Sequence, residues 1–243
     1  MKLYKILLFS LFLNLIFSKI NKPKIIENLK KQTEFKGDKK NTFIVIGKLL
    51  LSKNYNPSFI AGILGNIYHE GSIGFFESSN YISHPELKPQ YLKYMDDLHN
   101  YRNKYSGKKV TEVSLNELKK LVDLLKSQNW KKGKFGLGCI QWTGERTYEL
   151  VKLYVSEAKG KDKITIDEAT SAEGKLIIKE LNGEYKRVFN EWQRSASKNG
   201  EQAAYEAADI LCRKYEIPAD AVRRGKERGQ TAVKIYRIMM KGV

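Results

Sequence analysis

Helical periodicity constrains this chain most: apolar residues keep helical spacing through segment after segment, then lose it across one long stretch. Residues 42–52 carry Phe43, Ile44, Ile46, Leu49, Leu50 and Leu51, a set suited to a helix packed on a core. In the next segment Asn56 can cap a helix start, Pro57 suits its first position and Gly71 supplies a stop. Ile60, Ile63, Leu64 and Ile67 recur between them, which places Glu70 in the last turn. Gly62 and Gly65 inside this helix each cost about 1 kcal/mol relative to alanine, so they point to close approach by another backbone. Ser114 and Glu117 form a capping box ahead of Leu115, Leu118, Leu121, Val122 and Leu125. Helical patterns then run over 145–158, over 166–181 behind the pair Thr165 and Glu168, and over 185–194, 201–215 and 231–240.

The interruption is as informative as the pattern. Residues 72–113 are rich in Gly, Ser, Asn and Pro and carry Phe75, Phe76, Tyr81, Tyr91, Tyr94 and Tyr101. So much irregular chain inside a compact domain reads as a functional lobe or a binding wall. Residues 131–144 set Gly133, Gly136, Gly138 and Gly144 around Phe135, Leu137, Trp142 and Thr143, which predicts a tight loop or short hairpin approached closely by a partner. The expected fold class is mostly α, of α+β type: one domain with an irregular or β lobe beside a helical lobe. A chain of 243 residues can build this around one core.

Lys2 and Lys5 precede an uncharged apolar run over residues 6–17, with the small Ser18 after it. A bilayer-spanning helix needs about 20 apolar residues, so the run reads as an export signal rather than an anchor. Residues 1–18 are therefore expected to be a signal peptide, 19–40 a charged lead-in with little periodicity, and 41–243 the folded domain of a secreted, extracellular protein. A retained anchor or a buried first helix is the alternative. Removing Lys2 and Lys5 leaves 42 basic residues against 27 acidic ones, a net charge of +15. That charge favours long-range attraction to a polyanion. Export argues against nucleic acid as the target and suits an anionic bacterial wall surface, approached by a monomer with no stable membrane span. Cys139 and Cys212 are a disulfide candidate in an oxidising compartment; the loop of 73 residues would contribute about 4 kcal/mol. Two buried free thiols are the alternative.

A carboxylic acid that protonates a departing glycosidic oxygen must keep its proton near neutral pH. A helix C-terminus disfavours the ionised form, and aromatic surroundings exclude water. Glu70 occupies such an end and precedes such a stretch, although a solvated glutamate at a helix terminus is the plainer reading. His69 invites a zinc-protease reading, but position 73, where the second histidine belongs, holds Ile73. A cysteine-amidase reading of Cys139 fails on order, because His69, His84 and His99 all lie upstream. The glycine-rich loop lacks the Lys-Ser/Thr ending of a phosphate cradle. No metal and no cofactor are expected.

The string Ala61-Gly62-Ile63-Leu64-Gly65-Asn66-Ile67-Tyr68-His69-Glu70 resembles the opening motif of the phage tail lysozyme family, whose helix ends in the catalytic glutamate. Phe135-Gly136-Leu137-Gly138-Cys139-Ile140-Gln141-Trp142-Thr143-Gly144 is similar to that family's Gln-Trp-Thr loop, and Glu180-Leu181-Asn182-Gly183 and residues 212–218 resemble later blocks. The resemblance runs over about 41–240 in the family's order. It implies a lysozyme-like fold with two lobes around a glycan cleft and cleavage of the β-1,4 bond of peptidoglycan. Glu70 is then the general acid, with Tyr68, Gln141, Trp142 and Thr143 as substrate-binding residues. Trp142 would stack on a sugar or fill the core, Gln141 would meet an acetamido group or brace its loop, and Thr143 would position a water or cap the next helix. Glu77 and Glu180 are the candidates for a second carboxylate, with a structural ion pair as the alternative for Glu180; Glu216 could brace Arg223. Gly71 stands where many relatives have serine, and the insertion between the two blocks is long. The expected activity is that of a muramidase; a lytic transglycosylase and a non-catalytic basic wall-binding protein are the rivals.

Overall fold

The computed structural model describes residues 20–78, 101, 104–127, 136–195, 199–218 and 220–243. The expected signal peptide, Tyr81, Tyr91 and Tyr94 of the irregular stretch, and Phe135 of the second block lie outside these residues. What is described is mostly helical, as the periodicity predicts. Extended pairing among the described residues is confined to isolated bridges, so a developed β lobe is not seen there.

The chain divides into two compact units. One comprises Met1–Asn66 and Asn190–Val243. Its helices include α1 (Lys22–Lys31), α2 (Gly37–Ser52), and α3 (Pro57–Glu70) up to Asn66. Asn56 caps α3 as expected, its Oδ1 accepting the Ser58 N–H at 2.8 Å. Helix α1 lies inside the segment read as a lead-in. Ile25 and Leu29, four residues apart, are its buried pair, and the lysines around them hide the pattern in the sequence.

In the same unit α8 (Glu201–Leu211) packs on α9 (Ala221–Met239). The two glycines of α3 make room for this pair. A Cβ on Gly62 would stand 2.5 Å from Ala207 Cβ of α8, and one on Gly65 would stand 2.9 Å from the Arg228 carbonyl of α9. Asn66 closes the contact: Nδ2 donates to the carbonyls of Gly62 at 2.9 Å and Ala208 at 3.1 Å, and Oδ1 accepts from Nη1 of the buried Arg228 at 2.8 Å. Helix α9 starts ten residues before the expected 231, capped by Asp220. Gly229 masks the extension in sequence; it is required because the Tyr205 ring lies 2.5 Å from where its Cβ would be. Asp220 and Glu227 bind Arg223, each at 2.6 Å, which is the bracing expected of Glu216.

The second unit is Ile67–Phe189. It contains α4 (Leu115–Ser127), α5 (Glu145–Glu157) and α6 (Ile166–Asn182), with α5 packed against the other two. The α6 capping box forms as predicted, with the Thr165 side chain accepting from the Glu168 N–H and the Glu168 carboxylate from the Thr165 N–H. Helix α7 (Lys186–Ser195) follows.

The expected disulfide is absent: Cys139 and Cys212 are both free and buried. They belong to different compact units and have separate surroundings. The Cys139 N–H is bonded to Glu173, whereas Cys212 opens a turn of π-helix over Cys212–Glu216 and directs Sγ to the Ala221 carbonyl.

Candidate functional site

Glu70 is the last residue of α3 and is half-buried, between the exposed Tyr68 and His69 and the buried run 71–74. The Tyr68 and His69 rings meet edge to face at 5.2 Å. The helix closes with the Gly71 N–H on the Ile67 carbonyl at 3.2 Å. Gly71 then passes against the glycine-rich turn, where a Cβ would lie 2.5 Å from the Gly138 carbonyl and 2.8 Å from Gln141 Nε2. A side chain at 71 has no room in this packing, so the position calls for glycine.

The turn itself is a short hairpin. Leu137 and Trp142 exchange both backbone bonds, at 3.1 and 2.9 Å, and Gly138 adopts φ +82°. A side chain at 138 would also strike the Trp142 ring at 2.9 Å, so glycine is needed there on two counts. Further backbone bonds stitch the turn to the segment after Glu70: Gly138 N–H to the Phe75 carbonyl at 2.9 Å and Glu77 N–H to the Gly136 carbonyl at 2.9 Å. Residues 107–110 join on the other side, Phe76 N–H reaching the Lys108 carbonyl at 3.0 Å and Val110 N–H the Gly74 carbonyl at 2.7 Å. Sequence reasoning separated these stretches, and folding brings them together beside Glu70.

The predicted binding residues divide sharply. Trp142 is 0% exposed and its Nε1 donates to Glu180 Oε2 at 3.1 Å. It offers no face for sugar stacking, so that expectation is corrected: Trp142 is a core residue whose indole N–H is met by a carboxylate. Gln141 holds φ +52°, a left-handed conformation uncommon for a side-chain-bearing residue. Its Nε2 donates to the carbonyls of Gly138 at 2.8 Å and Phe75 at 3.1 Å, so the side chain braces its own loop. Thr143 is exposed just after the turn, and Tyr68 is 40% exposed. Glu77 is half-buried, with Oε2 accepting the Gly136 N–H at 3.2 Å.

Glu180 is the ion pair that the sequence left as an alternative. Arg146 Nε reaches Oε1 at 2.7 Å and Nη2 reaches Oε2 at 3.0 Å, while Trp142 takes Oε2 as well. Both oxygens are committed, which removes Glu180 from the candidates for the second carboxylate. Arg146 also lies over the Tyr185 ring, 5.0 Å from its centroid.

Sequence reasoning missed Glu173. It stands seven residues before Glu180 on the buried face of α6 and is 0% exposed. Its Oε1 accepts the Gly74 N–H at 2.6 Å and the Tyr154 hydroxyl, and its Oε2 accepts the Cys139 N–H at 2.8 Å. Burial pushes its carboxyl above the usual carboxylate range, against the opposing pull of bonds from Tyr154, Cys139 and Gly74. The signal was in the sequence: Ala169, Ala172, Leu176, Ile177 and Leu181 define an apolar face, and both Glu173 and Glu180 fall on it.

Compared with known proteins, the chain matches the family model for phage tail lysozyme over residues 45–239. No curated protein and no solved structure matches it. The matched span includes Glu70, the turn at 136–142 and the carboxylates of α6.

Proposed function

The chain belongs to the phage tail lysozyme family, which implies a lysozyme-like enzyme acting on peptidoglycan, and on that premise we propose that it is a muramidase with Glu70 as its general acid. The observation that carries this reading is the half-buried glutamate at the end of α3, followed at once by a glycine wedged against the turn at 138–141. An acid must be held within a fraction of an ångström of its productive position, and a helix end locked to a bonded turn supplies that rigidity.

Glu70 protonates the leaving glycosidic oxygen and water completes the cleavage, with Glu77 as the second carboxylate. Tyr68 and Thr143, both exposed, contact the glycan; Gln141 and Trp142 serve as scaffold. The bridged segments 74–77, 107–110 and 136–142 are the edge of the irregular lobe expected beside the helices. The chain acts as a secreted monomer drawn to an anionic wall surface. Supporting this are its formal charge of +17, its export-like start, and exposed large apolar residues that are dispersed along the described chain. Among the described residues no helix is long and apolar enough to cross a membrane.

Clearing of a bacterial wall suspension by the wild type and Glu70→Gln tests the assignment. Loss of a general acid should slow clearing about 10²- to 10⁴-fold with wall binding kept. Equal clearing by both proteins would sink the role of Glu70. Released fragments with a new reducing end support hydrolysis, whereas an anhydro-sugar would move the enzyme to the transglycosylases.

A further inference from the structure

A buried carboxylate is expensive unless its lone pairs are met, and core positions of this kind are normally apolar. Glu173 is kept in the core of its unit, and what it meets is informative. Besides the Tyr154 hydroxyl and the Cys139 thiol, its donors are backbone N–H groups from separate stretches of irregular chain, Gly74 and Cys139. Gly74 lies four residues after Glu70, and Cys139 adjoins the carbonyl against which Gly71 is wedged. The carboxylate is packed directly under that turn: a Cβ on Gly138 would lie 3.1 Å from its carboxyl carbon.

We propose that Glu173 is a positioning residue for catalysis, whose carboxylate clamps the segment after Glu70 to the turn at 138–141 and so fixes where the acid stands. The inference rests on the assignment of Glu70 as general acid. Loop amides have no ladder partner, so some acceptor must meet them. A carboxylate suits the task because it accepts through both oxygens at once, one facing each segment. A glutamine in its place has one acceptor oxygen; its NH₂ group would face either the Cys139 N–H or the Gly74 N–H, donor against donor, and release that side of the clamp. Tyr154 holds the carboxylate from the adjacent helix α5, its hydroxyl donating to the same oxygen that accepts the Gly74 N–H.

The test compares wild type, Glu173→Gln, Tyr154→Phe and Glu70→Gln on a soluble peptidoglycan oligosaccharide, at a temperature well below each protein's melting point. Glu173→Gln should lower kcat at least about 10-fold with KM within about threefold, because geometry is lost rather than binding. Amide hydrogen exchange at Gly74 and Cys139 should quicken in the same variant, a readout independent of turnover. A folded Glu173→Gln with wild-type kcat and unchanged exchange at both amides overturns the proposal. Should that variant not fold, Tyr154→Phe decides: a kcat a few-fold lower at unchanged KM supports the clamp, and wild-type kcat overturns it. A fully active Glu70→Gln overturns the acid assignment and this inference with it, whereas an inactive Glu70→Gln beside an unaltered Glu173→Gln condemns the clamp alone.

Discussion

Two regions solve the problem of close backbone approach in opposite ways. Where α3 meets α8 and α9, Gly62 and Gly65 remove side chains, each helix satisfies its own backbone, and the buried polar pair Asn66 and Arg228 closes the contact without a carboxylate. Where the chain leaves α3, Gly71, Gly74 and the turn at 138–141 approach as closely, but beyond Gly71, whose N–H closes the helix on Ile67, their amides have no helical partner. There α6 projects Glu173 inward to receive two of those amides and Glu180 to receive the Trp142 indole. The difference teaches that acidic residues on an apolar helix face mark the places where irregular chain passes through a core.

Substitutions can break or sharpen this contrast. The largest effect is expected from Glu70→Gln, which should abolish most clearing while leaving thermal unfolding near the wild-type midpoint, since it disturbs neither packing scheme; a large fall in Tm would show that the residue is structural. Next, Arg146→Ala should strand the buried Glu180 and cost about 3 kcal/mol in a denaturant titration, the low end for a broken buried pair because Arg146 is partly exposed. A loss below about 0.5 kcal/mol would mean that the loop side does not depend on its carboxylates.

A matched pair of glycine substitutions then separates the regions. Gly62→Ala and Gly71→Ala should each cost about 1–3 kcal/mol, because the added Cβ would lie 2.5 Å from an atom of a neighbouring element in both cases. Only Gly71→Ala should also reduce kcat, by about 10-fold, as the turn shifts beside the acid. Equal kcat for the two variants would erase the distinction. The smallest effect is that of reductant, which should leave Tm unchanged because both cysteines are free. A drop in Tm would show that a disulfide forms after all.

Much of the helical layout was legible because its signals are local. Asn56, and Thr165 with Glu168, cap their helices by bonds that reach no more than three residues along the chain, and they behave as read. Helix α1 and the first half of α9 escaped, since lysines in one and glycines in the other obscure the apolar stripe. At the site, the position of Glu70 at a helix end was legible for the same local reason, as was the turn around Gly136 and Gly138. The roles of Trp142, Gln141 and Glu180 were not, because whether a polar or aromatic group faces solvent or core depends on partners far along the chain.

By itself the sequence determined the order of most helices, the placing of a glutamate at the close of α3, the glycine-rich turn and the family to which the chain belongs; all of these rest on short-range spacing or on motif identity. Only the tertiary structure decided that Trp142 is interior, that Cys139 and Cys212 remain unbonded, and that Glu173 rather than Glu180 joins the two stretches beside Glu70. Those outcomes depend on contacts between residues up to 99 positions apart, as between Gly74 and Glu173, and such contacts form when whole elements pack rather than when neighbours along the chain meet.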